Sequence, residues 1–279
     1  MDILPPTTFQ GGKQRLAEKI LQIISDRNDI KGKTLYDFCC GSGAVTLRAI
    51  GHGAEFSKFF MMDLSVWGEF WSSITNDLFS ISDFEKYIKD VPDKDGIQKH
   101  LERMSKESPY LGKGLSHIYK FILLQAGSFG GKHIWIDGGK WQNTSFRSLW
   151  MPTATSSRRS HVNPMMPMPD EILRRVRVIC DSFKSKSVVA KCGRVQDFTE
   201  FQENSIVYID PPYSETTGYG FDFDITEWVS EVKSKSDVKI YVSEKKALGN
   251  QAFLLSEKRT KGNISGSANS GIEEWLTEF

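Results

Sequence analysis

The chain has 279 residues, 39% of them hydrophobic and 12% aromatic, enough for one large domain or for a core domain carrying a sizeable insertion. A net charge of +1 removes any global argument for a polyanionic partner, so a nucleic-acid case has to be made locally. The four cysteines (Cys39, Cys40, Cys180 and Cys192) include an adjacent pair but no C-x-x-C, and no histidine stands at ligand spacing; this argues against a disulfide framework and for a reduced, intracellular, metal-free protein.

Residues 1–6 lack the basic and apolar regions of a targeting signal, and no apolar run approaches the roughly 18 residues of a membrane helix. Leu16, Ile20 and Ile23/Ile24 space a helix over 14–25. Residues 34–40 (TLYDFCC) form a short apolar run stopped by Gly41-Ser42-Gly43, after which Ala44 to Ile50 is predicted helical. The run 59–63 (FFMMD) is a second strand ending in an acid. From Gly68 to Lys106 the pattern is helical, with Phe70, Ile74 and Leu78, then Ile97, Leu101 and Met104. Between Lys132 and His161 five cations (Lys132, Lys140, Arg147, Arg158, Arg159) face one acid, Asp137, with Trp135, Trp141 and Trp150 interleaved. The stretch 164–169 (PMMPMP) excludes regular helix or central strand. A helix over 170–183 then leads to strands at 187–190, 206–209 and 238–242. Strands alternating with helices on both sides of an irregular basic insert predict an α/β fold with a mostly parallel sheet.

Two stretches carry chemistry. In Asp37-Phe38-Cys39-Cys40-Gly41-Ser42-Gly43, a glycine turn between a strand and a helix lets a ligand approach bare backbone beyond the strand ends. It lacks the third glycine of the dinucleotide fingerprint, and a plain tight turn is the alternative. Asp63 suits a ribose hydroxyl, or else caps the next helix. The second stretch, residues 205–213 (SIVYIDPPY), sets Asp210 at the end of a strand. Pro211 and Pro212 stiffen the backbone after it, and Tyr213 adds a flat face. Such a group fits a planar ligand with an exocyclic amine: the carboxylate and a proline carbonyl accept its N–H groups and the ring stacks. A strand followed by a proline-rich turn is the plainer reading.

Asp210-Pro211-Pro212-Tyr213 resembles the catalytic tetrapeptide of adenine-N6 DNA methyltransferases, and the motif order resembles their Dam-type branch. Phe9-Gln10-Gly11-Gly12-Lys13 is similar to that branch's N-terminal W-A-G-G-K element, Asp37 and Gly41-Ser42-Gly43 to its S-adenosylmethionine loop, Asp63 to its ribose acid, and Asp197-Phe198 to its Asp-Phe motif. Ser243-Glu244 and Glu273-Glu274-Trp275-Leu276 also resemble family landmarks. Cys39 stands where the family has Phe, and the family's N-R-x-G-Y/F-N-G segment is present only as residues 125–132 (QAGSFGGK), which weakens the transfer of any particular target such as GATC. The stretch from Phe129 to Pro169 resembles solitary methylases of bacteriophages and prophages.

The resemblance implies a Rossmann-like class I methyltransferase fold, with residues 1–67 and 185–279 as the S-adenosylmethionine-binding catalytic domain and 68–184 as a helical and basic insert for target recognition. It implies a site-specific DNA adenine methyltransferase in which Asp210 and the Pro211 carbonyl grip the amine of a flipped-out base, next to Pro212, and Tyr213 stacks on it. The cofactor residues would be Phe9, Gly11, Gly12, Lys13, Asp37, Gly41, Gly43, Asp63, Asp197 and Phe198. Phe129, Lys132, Lys140, Arg147, Arg158 and Arg159 would face double-stranded DNA, with Phe129 or Tyr219 adding stacking. Its expected setting is the cytoplasm of a bacterium or a phage-infected cell, as a monomer or weak dimer without metal or membrane; a companion restriction endonuclease is left open. The alternatives are a cytosine-N4 or RNA amine methyltransferase, a non-catalytic DNA-binding relative, and a nicotinamide dehydrogenase.

Overall fold

The computed structural model describes residues 2–92, 96–112, 114–150, 167–212, 223–258 and 272–279. A 3-10 turn at Lys13–Arg15 precedes helix α1, Ala17–Arg27. Strand β1 (Thr34–Phe38) leads through the glycine turn to α2 (Ala44–Gly51), and β2 (Lys58–Asp63) leads to α3 (Val66–Thr75). Helices α4 (Ile81–Lys89), α5 (Ile97–Lys106) and α6 (Ser116–Gly127) follow. Next comes a small hairpin, β3 (Trp135–Asp137) and β4 (Lys140–Gln142), turned by Gly138 and Gly139, both at positive φ. Helix α7 (Pro169–Lys184) returns the chain to β5 (Val188–Cys192) and β6 (Ser205–Ile209). Helix α8 (Ile225–Lys235) and strands β7 (Lys239–Glu244), β8 (Ala252–Lys258) and β9 (Ile272–Glu278) complete it.

Seven strands form one sheet in the order β5-β2-β1-β6-β7-β9-β8. The first five are parallel, and β9 runs antiparallel between β7 and β8. Strand alternation gives the sheet two apolar faces. Leu35, Phe59, Met61, Ile206 and Tyr208 join one core with α1, α2 and the helices of residues 66–184; Tyr36, Phe38, Phe60, Val207 and Ile209 join the other with α8. The boundary expected between residues 67 and 68 falls inside α3, which packs on β2 and β5.

Chain order runs outward from β1 to β2 and β5 on one side and through β6 to β7 on the other. The carboxyl ends of β1 and β6 therefore flank the switch point, where ligands bind in sheets of this kind. Register puts Phe38 beside Ile209, so Asp210 is the first residue beyond the sheet, and its N–H donates to the Phe38 carbonyl at 3.2 Å.

Candidate active site

The glycine turn is held from several sides. Strand β1 stops two residues short of the expected Cys40, because Cys39 adopts a left-handed φ of 51° and turns the backbone. Gly41 and Gly43 follow at φ 49° and 70°. The Trp71 indole N–H of α3 donates to the Gly41 carbonyl at 2.8 Å, and the Gly41 N–H donates to Asp63 Oδ2 at 2.8 Å. The other Asp63 oxygen accepts from the Ser65 N–H and hydroxyl at 2.8 and 2.6 Å, which ties β2 to the start of α3. Asp37 lies beneath the turn, and its Oδ2 accepts the Thr46 N–H and hydroxyl at 3.1 and 2.7 Å. Burial pushes its carboxyl up to about 7, against the pull of those two bonds. Burial also holds the Cys39 and Cys40 thiols well above their ordinary range, so both stay protonated.

The N-terminal segment brings a cation to the switch point. Gly11 at φ 90° and the 3-10 turn bend residues 9–15 over the glycine turn. Lys13 Nζ reaches both oxygens of Asp210, at 2.6 and 2.7 Å, and lies 3.2 Å from Glu274 Oε1 and 3.3 Å from the Gly11 carbonyl. The Lys13 and Asp210 side chains are only 7% and 17% exposed. Burial raises the Asp210 carboxyl to about 6; Lys13 works against that rise, while Glu274 and Glu244 add to it. For Lys13, burial favours the neutral amine, but attraction to Asp210 and Glu274 prevails and holds it an ammonium. Ser243 Oγ donates to Glu274 Oε1 at 2.9 Å.

These residues line one cleft. Phe9, Gly11, Gly12, Lys13, Asp37, Gly41 and Asp210, all picked out from the sequence, share its wall with Cys39, Cys40, Ser42, Ala44, Val45 and Tyr208. A Cβ on Gly41 would stand 3.2 Å from the Phe9 ring, and one on Gly12 would stand 3.1 Å from the Phe9 carbonyl. Asp63 adjoins the cleft through Gly41, and Gly43 caps α2 behind it. Pro211 is buried and Pro212 half-buried. Asp197 is exposed at the end of a 3-10 turn past β5. Phe198 packs on Phe38 and Phe60, with ring centroids 5.4 and 5.2 Å apart, on the α8 face of the sheet, so neither residue lines this cleft. Tyr213, Tyr219, Arg158 and Arg159 lie outside the described residues.

Beside the cleft, the Gln10 N–H donates to the Gly131 carbonyl at 2.7 Å and docks the loop after α6 onto the N-terminal segment. That loop is built around buried Gln125, whose amide donates to the Lys132 carbonyl at 3.0 Å and accepts the Ile134 N–H at 3.0 Å. Phe129 stands on it 62% exposed, and Lys132 and Lys140 are exposed nearby in sequence. Arg147 is half-buried and donates to the Ser128 carbonyl at 3.3 Å. Trp141 and Trp150 are buried in the core. Among the described residues no group of side chains could hold a metal ion, and no helix is long and apolar enough to cross a membrane.

Trp71, Thr46, the bond from Ser243 to Glu274 and the placement of Glu274 beside Lys13 went unseen in the sequence. Trp71 reads there only as one more apolar position, Thr46 reaches Asp37 across the glycine turn, and Ser243 and Glu274 come together through the sheet.

A seven-stranded, mostly parallel sheet with its antiparallel strand between the last two, helices on both faces and a glycine turn after the central strand is the Rossmann-like fold of class I methyltransferases. No family model matches the chain, and no curated protein matches it by sequence. Among solved structures it is similar to the rRNA methyltransferase aviRa from Streptomyces viridochromogenes in two determinations. Both are 13% identical and span 95% of this chain and 84% of that one, with TM-scores of 0.40 and 0.42. A methylase candidate from Haemophilus influenzae is 12% identical over 94% of this chain and 97% of that one, with a TM-score of 0.34. The fold assignment rests on strand order and not on these distant likenesses.

Proposed function

We propose that this chain is an S-adenosylmethionine-dependent methyltransferase that modifies the exocyclic N6 of an adenine flipped out of double-stranded DNA. The observation that carries the reading is the place of Asp210: a partly enclosed carboxylate at the switch point, next to the glycine turn and followed by two prolines. The cleft suits the methyl donor. Gly11, Gly12 and Gly41 leave its wall as bare backbone; in this reading Asp37, whose two bonds from Thr46 both fall on Oδ2, takes the donor's ammonium, and Asp63, which adjoins the cleft through Gly41, its ribose. When bound, S-adenosylmethionine supplies an electrophilic sulfonium methyl.

The chain's own residues supply position and charge. The lone pair of an aromatic amine is delocalised into its ring. Asp210 and the Pro211 carbonyl, by accepting its two N–H groups, hold the nitrogen so that the lone pair faces the donor, and Asp210 stabilises the positive charge that develops there. No covalent enzyme intermediate is required. The base has to leave the duplex at a cost of a few kcal/mol, offset by stacking on Tyr213 and exposed Phe129. Lys132, Lys140, Arg147, Arg158 and Arg159 contribute phosphate and base-edge contacts.

Incubation with labelled methyl donor and assorted DNAs and RNAs, followed by nucleoside digestion and mass analysis, tests the reading. Label on N6 of deoxyadenosine is expected. Label on cytosine or RNA alone moves the assignment to those amines, and no label with no donor binding removes it.

A further inference from the structure

We propose that Lys13 is a movable cap on Asp210 and that Glu274 receives it when a base amine enters, which makes Glu274 a positioning residue of the site. The inference rests on the methyltransferase reading and says how its acid is freed for use. Lys13 Nζ sits on both Asp210 oxygens, at 2.6 and 2.7 Å, so the ammonium occupies the carboxylate that the amine needs. It cannot simply withdraw, because an almost wholly buried ammonium without a partner costs several kcal/mol. Glu274 Oε1 and the Gly11 carbonyl already stand 3.2 and 3.3 Å away. A small swing of the side chain therefore carries the ammonium from one carboxylate to the other without exposing it. The charge of the cluster stays constant in the exchange, and no covalent bond or proton is transferred.

The fold prepares the receiving carboxylate. Strand β9 runs beside β7 with Ser243 opposite Leu276 and Glu244 opposite Trp275, which places Glu274 at the same sheet edge as Asp210. Ser243 Oγ donates to the Glu274 oxygen that faces Lys13 and holds it in place. A carboxylate accepts several hydrogen bonds, so Ser243 leaves room for the ammonium. Glu274 also acts on Asp210 at a distance, since its charge raises the Asp210 carboxyl.

Glu274→Gln keeps the shape and removes the charge, leaving Lys13 on Asp210. The Michaelis constant for DNA should rise roughly ten- to a hundredfold, the worth of one charge-assisted hydrogen bond that the amine must now displace. Donor affinity by calorimetry should not change, and the Asp210 carboxyl, followed by 13C NMR, should titrate lower than in the parent. In Lys13→Met/Glu274→Gln no cap remains, and part of the lost DNA affinity should return. A parental Michaelis constant in Glu274→Gln overturns the proposal, as does a defect that persists in full in the double variant. The NMR titration needs no catalysis: failure of the parent protein to methylate any nucleic acid strikes the functional reading, whereas an unmoved Asp210 titration in Glu274→Gln strikes the Lys13–Glu274 coupling. If circular dichroism finds Glu274→Gln unfolded, Glu274→Asp, with its carboxylate drawn back from Lys13, is measured instead: the Michaelis constant for DNA should again rise, and an unchanged one overturns the proposal.

Discussion

Asp210 serves an amine only as a carboxylate, and its burial sets the pH at which that form prevails. With the group raised to about 6, methyl transfer should fall as pH drops through 6, while an ordinary aspartate would hold activity to about 4. Asp210→Ala should abolish transfer and leave donor binding, read by calorimetry, largely intact; near-normal turnover would sink the assignment of this residue. Asp37 titrates higher still, at about 7. The folded chain then keeps a proton that the unfolded chain releases near 3.8, so Asp37 makes stability fall as pH rises from about 4 to 7. Asp37→Asn should remove that penalty and raise the melting temperature at pH 8 by the equivalent of up to about 4 kcal/mol, with little gain at pH 4. It should also weaken donor binding, because the amide cannot offer a negative charge to an ammonium.

Among the elements, the glycine turn tolerates little change. A Cβ on Gly43 would stand 2.7 Å from the Trp71 ring and 2.8 Å from Met61 Cε, in a left-handed backbone. Gly43→Ala should cost roughly 2–4 kcal/mol in thermal or urea unfolding and weaken donor binding with it. Trp71→Phe withdraws the N–H from the Gly41 carbonyl and leaves part of the buried indole's volume empty, at about 2–4 kcal/mol. Legibility varied from one element to the next for physical reasons. Helices α1, α2 and α7 and strands β2, β5, β6 and β7 were readable within a few residues, because apolar periodicity and breakers mark them. Helix α6 left no such trace: every residue from Ser116 to Gly127 except His117 is buried, so it has no polar face to set a period. Leu78 continued the Phe70–Ile74 spacing, yet α3 ends at Thr75, Asp77 takes a left-handed φ of 54°, and Leu78 is 64% exposed. Strand β9 (IEEWLTE) shows no strict alternation of apolar and polar residues, and its place between β7 and β8 comes from pairing.

Across the whole molecule, the sheet brings residues 37, 63, 210 and 274 to one edge, where Lys13 of the N-terminal turn joins them, and the loop after α6 docks on that N-terminal segment. If Lys132 and Lys140 meet DNA phosphates, replacing both with Gln should reduce the log–log salt slope of binding by about 2, with little change in catalysis at saturation. An unchanged slope would leave those charges without a nucleic-acid role. Arg158 and Arg159 belong to the same test as a second pair. The sequence by itself determined the strand and helix alternation, the glycine turn, and an acid that ends a strand against two prolines, because these are local signals written in periodicity, missing side chains and fixed φ. Only the tertiary structure decided that Lys13 lies on Asp210, that Trp71 and Asp63 hold the turn, that Phe198 packs on the far face of the sheet, and that Glu274 returns to the site from the last strand. Lys13 and Asp210 are 197 positions apart, and Glu274 comes to Lys13 from farther still. Strand order and burial set these relations, and no spacing along the chain encodes either.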